Sequence, residues 1–280
     1  EYRPAEWLAL SASGRFDFHS EYGTFFNPRI SALLRPGAGW TARASAGTGT
    51  FAPTPFTEET EAVGLSRLTP LGQLEAERAR SVSLDVGRTF GEFELNGTLF
   101  GSVVHNALMV RASDTGRLVL FNADGPTRTR GTELLARWHR EPFHLTATHT
   151  YLRSTELDPE ELSVRREVPL TPRHSTGVVG MWEAEDQGRV GLEVYYTGRQ
   201  SLEDNPYRET SRPYLILGFL AERRFGRGRV FLNAENLLDV RQTRFDAVLL
   251  PARSPEGRWT TDLWAPLEGR VFNAGLRYEF

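Results

Sequence analysis

The sequence predicts an all-β protein, an antiparallel transmembrane β-barrel, and three observations predict it. Apolar and polar side chains alternate with a strict period of two along many segments. Short turns and long connections follow one another in regular alternation. No apolar run approaches the ~18 residues that a membrane-crossing helix needs, the stretch from Leu215 to Leu220 being among the longest. The mean hydropathy of -0.41 suits a soluble protein and a barrel equally, because only alternate residues of a barrel strand must face lipid.

The segment from Val271 to Phe280 carries the alternation most cleanly. Phe272, Ala274, Leu276, Tyr278 and Phe280 fall on one face, and Asn273, Gly275, Arg277 and Glu279 on the other. The same pattern runs through residues 40–46, 81–86, 143–151 and 190–196. The polar faces carry Arg43, Asp85, Glu94, Arg137, Glu193, Arg277 and Glu279, more charge than the inside of a sandwich or small barrel tolerates. Those faces therefore look at bulk water or line a wet lumen.

Taken in order, candidate strands lie near 6–19, 28–35, 40–50, 79–90, 92–111, 117–139, 142–155, 174–184, 189–199, 213–225, 229–238 and 269–280. That is about twelve, an even number as bacterial barrels require. The short connections fall at 35–39, around Gly91, and at 140–142, 185–188 and 226–228. The long ones run from Phe51 to Ala79, His105 to Arg128, Thr155 to Arg173, Gly198 to Arg212 and Asp239 to Gly269. Structureless loops beyond about 15 residues are uncommon in soluble domains. Here every second connection is long, as in a barrel with periplasmic turns and extracellular loops. Many candidate strands run to about ten residues, against a mode of about five or six in globular sheets. Trp40, Trp138, Phe143, Trp182, Tyr196, Tyr278 and Phe280 stand near strand ends, where an interfacial girdle belongs. A soluble propeller would show a repeat of about 40 residues, and the sequence has none.

Composition narrows the chemistry. The absence of Cys among 280 residues excludes a disulfide scaffold, thiolate metal sites and a cysteine nucleophile. A net charge of -3 gives no reason to expect nucleic acid as a partner. Every basic residue is Arg, which reads as codon bias. The chain starts at Glu1 with no signal-peptide layout after it, so its N-terminus is expected to be a cut end. Gly47 to Ala52 superficially fits a dinucleotide fingerprint, but it ends a strand and runs into Pro53 and Pro55 with no βαβ unit. There is no serine in a nucleophile-elbow setting and no HExxH. No catalytic residue, metal ligand or cofactor is expected. His139, His144 and His149 recur every five residues; along a strand that spacing alternates faces, so His144 and His149 do not share a metal. The acidic run from Glu58 to Glu61 and the group Asp158, Glu160 and Glu161 read as solvated loop faces.

Four motifs stand in order on this frame. Asn27-Pro-Arg-Ile-Ser31 is followed by a hairpin partner running from Trp40 to Thr54. Gly131-Thr-Glu133 opens a strand, Tyr151 stands at the end of the next, and Val168-Pro-Leu-Thr-Pro-Arg-His174 leads into another. Asn233-Ala-Glu-Asn-Leu-Leu-Asp239 ends a late strand, and a stretch from Gly269 leads to a terminal Phe280. Together they resemble the C-terminal part of the β-barrel of a TonB-dependent outer-membrane receptor. Thr50 departs from that family's pattern, which has a basic or small residue there.

The resemblance implies a barrel of about 22 strands around an N-terminal plug. Residues 1–280 are then expected to be its C-terminal portion, with the plug, the segment that contacts TonB and the first ten or so strands outside this chain. It implies the outer membrane of a Gram-negative bacterium, with lipid and lipopolysaccharide as neighbours and Phe280 as the signal read by the barrel-assembly machinery. The implied function is active, TonB-energised uptake of a scarce bulky solute such as a ferric siderophore or cobalamin, without enzymatic activity. A passive porin-like or adhesive barrel is the alternative. A fragment of this kind is not expected to transport alone, since unpaired edge strands in lipid cost several kcal/mol per unsatisfied group. Phe56, Tyr207, Arg208, Arg212, Arg241, Arg244, Arg253, Trp259 and Trp264 fall in long extracellular connections. Aromatic residues and Arg dominate binding hot spots, and guanidinium groups suit the carboxylate or catecholate oxygens of a small-molecule chelate. Loops beside lipopolysaccharide also carry Arg to meet its phosphates.

Overall fold

The computed structural model describes residues 1–57, 64–113, 116–161, 163–203, 205–254 and 258–278. Its strands are β1 (Tyr2–Ala5), β2 (Leu8–His19), β3 (Gly23–Gly37), β4 (Trp40–Phe51), β5 (Glu77–Phe90), β6 (Phe93–His105), β7 (Leu108–Ala112), β8 (Leu118–Asn122), β9 (Thr127–Arg140), β10 (Phe143–Leu157), β11 (Arg165–Glu167), β12 (His174–Ala184), β13 (Gly188–Thr197), β14 (Tyr214–Phe225), β15 (Gly228–Glu235) and β16 (Val271–Tyr278). Two single turns of 3-10 helix, Leu65–Arg67 and Gln242–Arg244, lie in the connections. One antiparallel sheet runs in sequence order from β1 to β16, with β11 attached to β10 and β7–β8 forming a hairpin of their own. Among the described residues, β1 and β16 each have a single strand neighbour.

The antiparallel barrel wall read from the alternation is present, and four boundaries differ. The strand expected at 6–19 is broken at residues 6–7, where β1 turns back to pair with β2. The strand expected from 28 begins at Gly23 and runs through Pro28, which sits opposite Gly14. The ladder to β4 includes Arg29, the residue after that proline, but not Pro28 itself, so its missing N–H interrupts no bond on that side. The connection at 20–22 is therefore short, an exception at the end that otherwise carries long loops. The two strands expected at 92–111 and 117–139 are each divided. β6 ends at His105, Asn106 takes a left-handed φ of 57°, and the chain leaves the wall as the β7–β8 hairpin before returning in β9. Apolar residues continue through this departure because the hairpin buries side chains of its own, Leu118 and Leu120 on one face and Met109 on the other.

Register carries the alternation from strand to strand. Leu95 lies opposite Ala136, and the same row continues through Ala147, Val178, Val194 and Leu217. The adjacent row on the other face is Glu94, Arg137, Thr146, Val179, Glu193 and Gly218. The apolar face is left open: Leu134 is 56% exposed and Leu276 73%. A soluble monomer rarely exposes more than a few hundred Å² of contiguous apolar surface, whereas this face extends across the whole sheet.

Aromatic side chains bound the apolar band at both ends. At the short-turn end stand Trp40, Phe90, Phe93, Trp138 and Phe143, with the Arg88 guanidinium 4.9 Å from the Trp40 ring centre. At the loop end stand Phe16, Phe26, Tyr151, Tyr196 and Phe272. From Phe143 to Tyr151 the chain advances about 27 Å along β10, the scale of the ~25 Å apolar band of a membrane barrel.

The opposite face is polar and hydrogen-bonded within itself. Asn27 donates to Asp17 at 2.8 Å and to Thr50 at 2.7 Å, while the Thr50 hydroxyl returns a bond to Asn27 at 3.0 Å. Thr50, the departure from the family pattern, thus closes a cross-strand polar network. Thr98 donates to Asp85 at 2.8 Å, and Arg137 lies 3.3 Å from Glu94.

His139 and His144 stand on either side of the short connection expected at 140–142 and fall directly opposite each other across β9 and β10. Their Nδ1 atoms are 2.7 Å apart on the polar face. His149 lies on the other face, with its Nε2 3.5 Å from Nδ1 of His174. Among the described residues no three His, Asp or Glu side chains gather as a metal site.

Candidate functional site

The most enclosed side chains belong to the long connections, which fold on themselves above the strand ends. In one cluster, residues 64–76 pack against the β7–β8 hairpin. Leu118 is completely buried there, the Thr69 N–H donates to its carbonyl at 2.9 Å, and Asn122 donates to the carbonyls of Glu75 and Asn106.

The second cluster joins the connection 198–213 to the connection 236–270. Its root is the Asn236-Leu-Leu-Asp239 sequence. Asn236 has a φ of 48°, its Nδ2 donates to the carbonyls of Val240 at 2.8 Å and Glu268 at 3.0 Å, and its Oδ1 accepts from the Val240 N–H. One amide thereby ties the outgoing and returning ends of the loop. Asp239 accepts from Arg241 and Arg244, and its carboxylate backs so closely onto Gly269 that a Cβ there would displace it.

Above this root, Gln242 is completely buried and serves as the hub. Its Oε1 accepts from the N–H groups of Trp264 at 2.8 Å and Ala265 at 3.3 Å, and its Nε2 donates to the Asp262 carbonyl at 2.9 Å. Gln200, from the neighbouring loop, donates to the Trp264 carbonyl at 3.1 Å. Trp264 itself is 2% exposed and is packed by Phe245 and Tyr214. Arg208 crosses the junction with two bonds to Asp246, at 2.5 and 2.6 Å, and lies 5.6 Å from the Trp264 ring centre.

Between the two loops opens a cavity of about 590 Å³, lined by Leu202, Asn205, Pro206, Arg208, Leu250 and Pro251, among others. The volume is in the range of small-molecule sites. Asn205 uses its Oδ1 to accept from the N–H groups of Tyr207 and Arg208, while its buried Nδ2 has no partner. The indole Nε1 of the buried Trp264 is likewise without a hydrogen-bond partner among the described residues, so the junction holds more than one uncommitted donor.

The residues singled out in the sequence separate by environment. Trp264 and Arg208 are spent on the loop junction, and Arg241 and Arg244 share an ion pair with the one carboxylate of Asp239. Tyr207 is exposed on its ring and donates its hydroxyl to the Leu249 carbonyl at 2.9 Å. Arg253 is stacked 4.9 Å from the ring centre of the exposed Trp259, and Arg212 lies 5.2 Å from that of Phe245. Neither Arg212 nor Arg253 has a carboxylate partner among the described residues. Phe56 is exposed in the connection after β4. Phe280 and the acidic run from Glu58 to Glu61 lie outside the described residues. The sequence reading missed Gln242, Gln200 and Asn205. Only Asn205, in an Asn-Pro turn signal, carried a local clue.

A third junction holds β11 in place. Arg166 bonds Glu156 at 3.0 Å and Glu203 at 2.6 Å, linking β10 to the loop after β13. Glu156 lies beyond Tyr151, above the apolar band. Burial raises its pKa above the ordinary carboxylate value, and the adjacent Arg166 only partly opposes this.

A family model described as TonB dependent receptor-like, beta-barrel, matches residues 1–237. No curated protein sequence matches the chain. Among solved structures, the ferric enterobactin receptor of Pseudomonas aeruginosa superimposes with a TM-score of 0.70 at 16% identity, over 99% of this chain and 43% of that one. The FrpB iron transporter of Neisseria meningitidis gives 0.72 at 14% identity, over 99% and 44%. The siderophore receptor PirA of P. aeruginosa gives 0.65 at 18%, over 85% and 41%. The likeness at these identities is one of fold, and the chain spans less than half the length of each of these proteins.

Proposed function

This chain belongs to the TonB-dependent receptor β-barrel family, whose barrels reside in the Gram-negative outer membrane, and from that premise we propose that it forms the C-terminal wall and loops of a receptor for active uptake of a ferric chelate. The free sides of β1 and β16 and the 43–44% coverage of the first two similar receptors support this division. A membrane barrel leaves no strand edge in lipid, so further strands would have to close the wall. A plug within it would couple the receptor to TonB.

The observation that carries the ligand reading is the state of the loop arginines. Arg212 and Arg253 lie against aromatic rings and have no carboxylate partner among the described residues, whereas Arg208 is held by Asp246 and Arg241 and Arg244 by Asp239. A guanidinium held by a ring retains its N–H edge for charge-assisted bonds to an anionic ligand. Trp259 and Tyr207 add rigid apolar area beside them. The similar solved proteins are named for ferric enterobactin, iron and siderophore, which favours a ferric chelate over cobalamin as cargo.

The test uses the complete receptor in iron-limited cells, comparing wild type with the R212A/R253A and W259A variants. Binding of a labelled anionic ferric chelate is expected to weaken at least tenfold, which corresponds to about 1.4 kcal/mol, and uptake is expected to stop when TonB is deleted. Unchanged affinity in both variants would overturn the assignment of these side chains. Uptake that persists without TonB would place the protein with passive barrels instead.

A further inference from the structure

Above the apolar band, the outer face of the wall changes character between β5 and β10. Arg80 lies opposite Val103, which lies opposite Arg128; one row nearer the band, Val82, Gly101, Arg130 and Arg153 stand side by side. These positions share the lipid-facing side with Leu84, Leu99, Leu134 and Tyr151, since each lies an even number of residues from them on its own strand. Arg165 comes in from β11, held by the carbonyls of Pro126 and Thr155 at 2.9 Å each. Together these residues line a groove of about 700 Å³. Gly101 leaves its floor without a side chain, and the nearest atom to a Cβ built there is 3.7 Å away.

The charges in this groove are unbalanced. Arg80, Arg128, Arg130 and Arg153 are exposed and have no acidic partner among the described residues. The one carboxylate in the lining, Glu167, is taken by Arg173. Like charges placed directly opposite on neighbouring strands, as Arg130 and Arg153 are, destabilise a sheet unless an anion lies between them. Guanidinium forks match phosphate oxygens in geometry as well as in charge. The site faces sideways, away from the polar face along which cargo would pass, and sits directly over the exposed Leu84, Leu99 and Leu134, which a bilayer would cover with acyl chains. Its occupant must therefore carry phosphate and hydrocarbon in one molecule.

We propose that the outer face between β5 and β10 is a binding site for a phosphorylated lipid of the outer leaflet. Its headgroup phosphates lie among Arg80, Arg128, Arg130 and Arg153, and its chains run down over Leu84, Leu99 and Leu134. The site depends on the membrane placement of the barrel and is independent of which solute the loops capture.

The experiment is a binding titration on the complete receptor, delipidated in mild detergent, with bis-phosphorylated lipid A, dephosphorylated lipid A and inorganic phosphate as probes. Wild type is expected to bind the bis-phosphorylated lipid at least tenfold more tightly than the dephosphorylated one. The R128Q/R130Q/R153Q variant is expected to lose that preference, and the single R130Q variant to lose part of it. R43Q, which removes a charge from the polar face, is expected to bind like wild type. Heat-modifiable electrophoretic migration reports whether each variant is folded, and R130Q keeps the proposal testable if the triple variant is not. Lipid preference that survives in folded R128Q/R130Q/R153Q overturns the site. Displacement of the lipid by inorganic phosphate at equal concentration would instead make it a site for free anions and overturn the lipid assignment. Chelate uptake serves as the separate readout, so that loss of transport and loss of lipid binding are distinguishable.

Discussion

The outer face of the sheet and the loop junction above it solve opposite packing problems. Along the sheet, leucines and valines stand exposed and each strand touches mainly its two neighbours; in the loops, Trp264, Gln242 and Leu118 are enclosed as tightly as in any protein core. The difference teaches where each part finds its stabilisation. The wall is completed by lipid, which supplies the missing apolar contact, and its own contribution is a continuous hydrogen-bonded ladder. The loops meet water, so they must build cores of their own and pair most of their buried polar groups internally.

Substitutions should respect that division. The largest expected effect is that of Trp264→Ala, which empties the junction core at a cost of about 3–5 kcal/mol. Hydrogen exchange should rise across 198–213 and 236–270 while the strands stay protected, and a barrel that melts together with the loops would break the comparison. Next comes charge in the band: Leu192→Arg on the outer face is expected to cost about 2–4 kcal/mol in folding into bilayers, against about 0.5 kcal/mol or less for Thr148→Arg on the polar face. Equal costs for the two would mean that the faces are misassigned. Gln242→Ala removes the acceptor of the Trp264 and Ala265 N–H groups, and the expected loss is about 1–3 kcal/mol, again confined to the loops.

The smallest effect concerns pH. The folded-state pKa of Glu156 is raised by burial, with Arg166 opposing, so its contribution favours the folded junction at acidic pH and is lost as pH rises through that raised value. Local protection of β11 should therefore fall as pH rises past the ordinary carboxylate range in wild type. In Glu156→Gln that slope should flatten, and an unchanged slope would assign the effect to another group.

Much of the wall was legible because a barrel strand answers to a one-dimensional rule. Whether residue 145 or 192 faces lipid follows from its neighbours two positions away, so the period could be read without knowing any partner strand. The rule failed where two different burials give one pattern. Met109 continues the odd-numbered apolar row of β6, yet it belongs to a hairpin that packs on residues 64–76. The short connection at 140–142 separates His139 from His144 in the sequence, and only the register of β9 on β10 places them face to face.

The candidate site was legible in type and not in role. Trp259 and Trp264 stand five residues apart in the same connection, yet one is exposed beside Arg253 and the other is the centre of the junction. Arg208 and Arg212 divide in the same way between Asp246 and Phe245. Nothing local distinguishes them, because the deciding partners come from the other loop.

The sequence by itself determined the all-β class, the lipid-facing and polar faces, the girdles and the end that carries the long loops, since all of these depend on periods and lengths along the chain. Only the tertiary structure decided which loop side chains hold the junction together, which arginines stay free of carboxylates and which strands place arginines side by side above the band. Those outcomes depend on cross-strand register and on hydrogen-bond partners dozens of residues apart, and a partner that distant leaves no periodic trace in the chain.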